Sequence, residues 1–182
     1  MVKRHEIRFA GFGGQGIVLA GYVVGKAVSI YEKKHAIFTQ SYGPEARGGA
    51  CSADIIISDD KIYFPKVQEP NVLVLMSEEA YHTYSKKIAD SAIVIIDEDL
   101  VKITNGFPKN VTIYSIPASK IAEDLGRKII ANIVMLGYFT AKSNLINYEA
   151  VKSSILSSVP KGTEELNITA FDKGYFYDKM EK

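Results

Sequence analysis

Short apolar segments alternate with polar and glycine-rich stretches along most of the chain. Compact apolar runs bounded by turn residues predict strands, and apolar positions that recur every three or four residues predict helices. The predicted strands are 7–12, 36–40, 50–58, 61–64, 72–76, 92–96 and 111–116. The predicted helices are 17–31, 78–89, 117–125, 128–142 and, as the last one, 148–158. Alternating strands and helices are typical of a sheet covered on both faces. The sequence therefore predicts one three-layer α/β/α, Rossmann-like domain over residues 1–182, with a parallel or mixed sheet.

The composition is that of a globular protein without a strong charge of either sign. The chain has 182 residues, of which 47% are hydrophobic, and its formal net charge is +1. Nucleic acid is not an expected ligand, because binding to phosphates requires a surplus of cations. The apolar run that starts at Phe9 is interrupted by glycines and by Gln15, whereas about 20 apolar residues are needed to cross a bilayer. We therefore expect a cytoplasmic protein that binds no membrane.

Redox metal centres are not expected on this chain. Its one cysteine, Cys51, cannot supply the thiolates of an iron–sulfur cluster or form an internal disulfide. The three histidines, His5, His35 and His82, are far apart in sequence and lack the spacing of metal ligands. No metal site is predicted.

A glycine-rich turn, residues 11–16, joins the first predicted strand to the first predicted helix. Gly11, Gly13 and Gly16 have the G-x-G-x-x-G spacing, and free N–H groups at such a turn favour an anion. A dinucleotide site would also place an acidic residue after the second strand, where this chain has Gln40 and Ser41. Two interpretations stay open, an anion site or glycines needed only for a tight turn and close packing. The candidate cofactor-binding residues are Gly11, Gly13, Gly14, Gln15 and Gly16.

A second loop, residues 41–49, holds a proline, a carboxylate, a guanidinium and a Gly-Gly pair. Arg47 offers a planar fork of donors that suits a carboxylate or phosphate, and Glu45 is placed to hold it. A surface pair of Glu45 with Arg47 in a solvated turn is the alternative. Asn132 is a lone amide within an apolar predicted helix, where burial requires hydrogen-bond partners. Its partner is either a structural loop or a group in the site.

Four segments together resemble a known protein family. They are residues 11–17, 40–49, 131–137 and 159–167, with the sequences GFGGQGI, QSYGPEARGG, ANIVMLG and VPKGTEELN. In this order they resemble the gamma subunits of 2-oxoacid:ferredoxin oxidoreductases, and the 2-oxoglutarate branch (KGOR) most of all. The small subunit of indolepyruvate ferredoxin oxidoreductase is similar too and stays an alternative.

The resemblance implies a subunit of an enzyme that oxidatively decarboxylates a 2-oxoacid to an acyl-CoA. It implies partner alpha, beta and ferredoxin-like delta subunits that hold thiamine diphosphate, Mg²⁺ and [4Fe–4S] clusters, with ferredoxin as electron acceptor. This chain lacks the Gly-Asp-Gly motif with which family members hold the Mg²⁺-diphosphate, so we expect the isolated chain to be inactive. The resemblance also implies that this chain forms one wall of the shared site near CoA. The residues expected in that wall are Ser41, Tyr42, Gly43, Pro44, Glu45, Arg47, Gly48, Gly49 and Asn132.

Two functions from other classes stay open. A self-sufficient NAD(P)- or flavin-binding oxidoreductase predicts saturable binding of that nucleotide by the isolated chain. A non-catalytic assembly module predicts that substitutions in the loops change the yield of a complex but leave its turnover intact.

Overall fold

Six strands form one mixed sheet in the order β2-β3-β1-β4-β5-β6 in the computed structural model, which describes residues 4–42, 49–107 and 110–180. The strands are β1 (Arg4–Phe12), β2 (His35–Tyr42), β3 (Ala50–Ser58), β4 (Val72–Leu75), β5 (Ile93–Asp97) and β6 (Thr112–Ile116). β1, β4, β5 and β6 are parallel, whereas β3 is antiparallel to both β1 and β2. The carboxyl ends of the four parallel strands therefore meet at one edge of the sheet.

Helices connect these strands and continue after the last of them. They are α1 (Ile17–Lys26), α2 (Glu78–Tyr84), α3 (Ala118–Asp124), α4 (Ala131–Ser143), α5 (Tyr148–Leu156), α6 (Glu164–Tyr175) and α7 (Tyr177–Met180). A π turn, Ala27–Tyr31, extends α1, and a 3₁₀ turn, Lys128–Ile130, leads into α4. In the described part of the chain, no helix is long and apolar enough to cross a bilayer.

Both faces of the central strands are covered, which confirms the predicted three-layer fold. Phe9 and Val74 face the larger core, which α1, α3, α4, α5 and α6 cover, and Phe9 meets Phe139 of α4 edge to face at 5.0 Å. Leu73 and Leu75 face the smaller core on the other side, beneath α2. Neighbouring residues of β4 thus enter opposite cores, as expected for a strand covered on both faces.

Most of the predicted elements are present, and the differences have local causes. The strand predicted at 61–64 is wrong. Those residues form a loop that side chains of β1 hold in place, because the Arg4 guanidinium donates to Phe64 O at 3.0 Å and a Glu6 carboxylate oxygen accepts from Gln68 N–H at 2.8 Å. The helix predicted over 78–89 ends at Tyr84. The prediction of 148–158 as the last helix is also wrong, since α6 and α7 follow it.

Candidate functional site

The glycine turn lies at the carboxyl ends of the parallel strands, the edge at which open α/β sheets bind their ligands. Gly14 and Gly16 have φ of +101° and +75°, in the left-handed region that favours glycine. Gly13 and Gly14 are exposed, and no hydrogen-bond acceptor for their N–H groups is found among the described residues. The turn thus presents backbone donors to solvent, an arrangement that can bind an anion.

Gln15 fixes the shape of the turn. Its Oε1 accepts from the Phe12 N–H at 2.6 Å, and its Nε2 donates to Met76 O at 2.7 Å, just beyond β4. A side chain on buried Gly11 would approach Gln15 Oε1 to 2.5 Å, so Gly11 makes room for this inward position. Gln15 therefore stabilises the turn from the side of Gly11 and Met76, which makes it a positioning residue.

Asn132, at the first turn of α4, holds the other end of the glycine turn. It is only 2% exposed, and its Nδ2 donates to Gly16 O at 3.1 Å. A Cβ on Gly16 would overlap the Asn132 amide, so glycine is required here for contact as well as for backbone conformation. Asn132 thus makes a structural hydrogen bond to the loop, and its role in the wall of the site stays a prediction.

The second loop begins and ends at this same edge of the sheet. Ser41 and Tyr42 end β2, and both are exposed. Gly49 directly precedes β3, whose first residue, Ala50, pairs with Phe12 at the end of β1. The sheet register therefore brings the ends of the two loops together. The other predicted wall residues, Gly43, Pro44, Glu45, Arg47 and Gly48, lie outside the described residues.

Cys51 and the histidines form no metal centre. Cys51 is 3% exposed, lies opposite Gly11 in the sheet, and burial raises the pKa of its thiol. Within residues 4–42, 49–107 and 110–180, no three His, Cys, Asp or Glu side chains come together as a metal site. The described residues thus do not fit an iron–sulfur cluster.

Two hollows flank the glycine turn, separated by Ile129, which is 59% exposed and lines both. The first, about 430 Å³, lies between Gly14, the end of β4 and α3. The second, about 310 Å³, lies between Gly16, α4 and α6. The connection 126–130 supplies Arg127 to the second hollow and Lys128 to the first, so each has a cation at its margin. Sequence reasoning missed this connection, although its adjacent Arg and Lys after Gly126 were a visible signal.

A buried carboxylate lies below the first hollow, at the carboxyl end of β5. Asp97 is fully buried and accepts from the Ser119 hydroxyl at 2.7 Å, the Ser119 N–H at 3.1 Å and the Asp99 N–H at 3.2 Å. Burial raises the pKa of Asp97, although these hydrogen bonds oppose the shift. Its contacts fix the start of α3, because Ser119 lies in the first turn of that helix.

Comparison with known proteins identifies the family. The family model for pyruvate ferredoxin/flavodoxin oxidoreductase matches residues 6–177. The chain belongs to this family. Among family members, it is 52% identical to the 2-oxoglutarate synthase subunit KorC of Methanocaldococcus jannaschii over 174 residues, 94% of this chain and 92% of that one. It is 47% identical to KorC of Methanothermobacter marburgensis, over 94% of this chain and 95% of the relative.

A solved family member has the same fold. The gamma subunit of a keto/oxoacid ferredoxin oxidoreductase from Geobacter sulfurreducens PCA superposes with a TM-score of 0.85 and 38% identity, over 95% of each chain. The resemblance drawn from the four sequence segments is therefore confirmed.

Proposed function

We propose that this chain is the gamma subunit of a cytoplasmic 2-oxoacid:ferredoxin oxidoreductase that converts 2-oxoglutarate, with CoA, to an acyl-CoA. The observation that carries the proposal is the 52% identity to a 2-oxoglutarate synthase subunit over nearly the full length of both chains. The partners are alpha, beta and delta subunits, which hold thiamine diphosphate, Mg²⁺ and the [4Fe–4S] clusters. Ferredoxin accepts the electrons.

Within this complex the chain forms one wall of the shared site. Support comes from the sheet register, which brings the glycine turn and the ends of the second loop to one edge. The free N–H groups of Gly13 and Gly14 suit a phosphate of CoA, and Arg47 suits an acidic group of CoA or of the substrate. Gly11, Gln15 and Asn132 hold the turn that presents those donors.

The strand order disfavours a nucleotide-dependent oxidoreductase. In a dinucleotide-binding fold, β2 lies beside β1 and parallel to it, which brings its acidic residue to the ribose. Here antiparallel β3 separates β2 from β1, and the end of β2 carries Gln40 and Ser41. The geometry therefore offers no counterpart of the ribose-binding carboxylate on β2.

A substrate panel tests the proposal. The complex would be purified through a tag on this chain and assayed for CoA-dependent reduction of ferredoxin. We expect kcat/KM for 2-oxoglutarate to exceed that for pyruvate, 2-oxoisovalerate and indolepyruvate by at least about tenfold, since a site that pairs with a second carboxylate discriminates strongly against substrates without it. Preference for indolepyruvate would contradict the proposal and select the alternative subunit type.

Gly14→Val is expected to impair use of CoA. The left-handed backbone makes any side chain at Gly14 cost about 1–3 kcal/mol of stability, although no atom lies within 4 Å of its Cβ position. Gly106→Val is the matched control, because Gly106 also has open space and a positive φ, +66°, but lies away from the turn. We expect similar losses in thermal stability for both, and a raised KM for CoA only for Gly14→Val. Reduced yield with normal turnover per complex would instead support the assembly module.

Arg47→Lys separates bidentate recognition from simple charge, because it keeps the charge but loses the fork. We expect Arg47→Lys and Arg47→Ala to assemble, and both to lose about 10- to 150-fold in kcat/KM for acyl-CoA formation, equivalent to about 1.5–3 kcal/mol. Losses confined to thermal stability or subunit yield would show that Arg47 only braces its loop. Wild-type kinetics and assembly in the alanine variant would show that Arg47 has neither role and lies in a solvated turn.

A further inference from the structure

Two adjacent aromatic side chains, here called the aromatic pair, project from the loop between β3 and β4. Tyr63 is 85% exposed and Phe64 is 52% exposed. Single apolar residues are common on a protein surface, whereas neighbouring exposed aromatic rings are typical of surfaces that bind another protein. The aromatic pair is therefore a candidate contact for a partner chain.

Side chains of β1 hold this loop in position. The Arg4 guanidinium donates to Phe64 O at 3.0 Å and to Lys66 O at 3.4 Å. The Glu6 carboxylate accepts from Arg4 at 2.8 Å and from the Gln68 N–H at 2.8 Å. A loop that is ordered before binding loses less conformational entropy when it binds. The fold thus presents the aromatic pair in a preorganised position.

A wide trough, here called the amino-edge trough, lies beside this loop. Its volume is about 780 Å³, and its lining residues include Arg4, Glu6, Arg8, Lys66, Asn71 and Lys87. The two guanidinium groups are already paired, because Arg4 donates to Glu6 and Arg8 donates to both carboxylate oxygens of Asp54, at 2.7 and 2.5 Å. These pairs give the trough a fixed polar floor.

The charges left unpaired in the trough are positive. Lys66 and Lys87 form no ion pair within the ranges that the structure describes. Asn71 Oδ1 accepts from the Glu6 N–H at 2.8 Å, so its Nδ2 is a further donor. Glu69 also lines the trough and is engaged in an interaction of its own. The trough is therefore complementary to carboxylates.

This surface and the glycine turn lie at opposite edges of the sheet. Arg4, the first residue of β1, pairs with Ser58, the last residue of β3, and the loop with the aromatic pair follows Ser58. The glycine turn follows the other end of β1. The nine residues of this strand separate the two edges by about 27 Å, at about 3.4 Å per residue. A chain bound at the amino-edge trough thus leaves the glycine turn free.

We propose that the aromatic pair and the amino-edge trough form a second docking surface of this chain, which binds an acidic segment of a partner subunit. Apolar groups of that segment cover Tyr63 and Phe64, and its Asp or Glu side chains pair with Lys66 and Lys87. The inference rests on the proposed function, because it assigns a surface to the subunits with which the chain would assemble.

Two other occupants fit the surface less well. In a two-fold dimer the same surface meets itself, so the unpaired lysines of one copy would face those of the other, and like charges in contact are costly. A small anion such as phosphate would occupy little of the trough, whose volume is about 780 Å³, and would leave the aromatic pair uncovered. A different, acidic chain satisfies both features.

Tyr63→Ser tests the aromatic contact. Tyr22→Ser is the matched control, because Tyr22 is 47% exposed on α1 and also has a lysine Nζ 5.8 Å from its ring centroid, as Tyr63 has. The chain would be titrated into the alpha, beta and delta subunits, and ferredoxin reduction would be followed. We expect Tyr63→Ser to raise the half-saturating concentration at least about tenfold and to keep the maximal rate, whereas Tyr22→Ser changes neither. A wild-type half-saturating concentration for Tyr63→Ser would overturn the contact.

Lys87→Glu tests the charge of the partner in the same titration. We expect it to raise the half-saturating concentration at least about tenfold, and Lys87→Arg, which keeps the charge, to stay within about twofold of the wild type. An unchanged value for Lys87→Glu would show that no carboxylate of a partner lies in the trough.

Photo-cross-linking identifies the occupant directly. With p-benzoylphenylalanine at position 63, illumination of the assembled complex should join this chain to a partner subunit at a segment that contains Asp or Glu. Cross-links only to another copy of this chain, only to added ferredoxin, or to no protein would overturn the proposal. In a complex that oxidises 2-oxoglutarate, those results would leave the gamma-subunit proposal intact. If the chain forms no complex with these subunits, the proposed function fails and the docking surface fails with it.

Discussion

Gly174→Ala is expected to destabilise the fold by at least about 3 kcal/mol, more than a typical point substitution does. A Cβ on Gly174 of α6 would overlap the backbone carbonyl of Val134 in α4. On the facing side, a Cβ on Gly137 would overlap Phe171 O. The two helices thus meet backbone to backbone, and neither can move away without opening the core around Phe171, which is fully buried.

Urea unfolding measures this effect, and Gly25→Ala is the matched control. Gly25 is also a buried helical glycine, but its Cβ position lies 3.5 Å from Phe38 Cβ, an ordinary contact distance. Alanine is favoured over glycine within helices by up to about 1 kcal/mol, so Gly25→Ala should be neutral or slightly stabilising. An unfolding midpoint for Gly174→Ala equal to that of the wild type would contradict the close packing of α4 on α6.

This helix contact also shows where sequence reasoning about the fold stopped. The strands of the sheet have strong local signals, and β3, Ala50–Ser58, lies where the sequence predicts it. Helix α6 carries Gly174 and several polar residues, so its apolar periodicity is weak. It is stabilised by contact with α4 and by side-chain bonds such as that of Asn167 to Thr163. Contacts of that kind leave little trace in a local pattern.

The candidate site, like the fold, could be predicted from the sequence only in part. The glycine turn was predictable, because its spacing and its place between a strand and a helix are local features. The contact of Asn132 with Gly16 joins residues far apart in the chain, and the sequence could offer only a choice of roles for that amide. The hollow between Gly16, α4 and α6 is lined by residues from separate parts of the chain, and no local pattern linked Arg127 to the others. The placement of Arg47 stays a prediction.

The second large effect is expected when the complex is reconstituted, because activity should require the partner subunits. The isolated chain should be colourless, bind no iron and decarboxylate no 2-oxoacid, because one buried cysteine cannot hold a cluster and the chain has no thiamine motif. Adding the alpha, beta and delta subunits should give 2-oxoacid-dependent reduction of ferredoxin. Iron–sulfur absorbance or turnover from this polypeptide alone would contradict the assignment of both centres to partner subunits.

If this chain is a necessary part of a 2-oxoacid:ferredoxin oxidoreductase, omitting it from the reconstitution should abolish activity. The rate of ferredoxin reduction with 2-oxoglutarate and CoA would be measured for the alpha, beta and delta subunits with and without this chain. We expect activity to appear only when this chain is added, and to saturate at a fixed ratio of this chain to the other subunits. Full activity of the other subunits without this chain would show that it is not a necessary part of the enzyme.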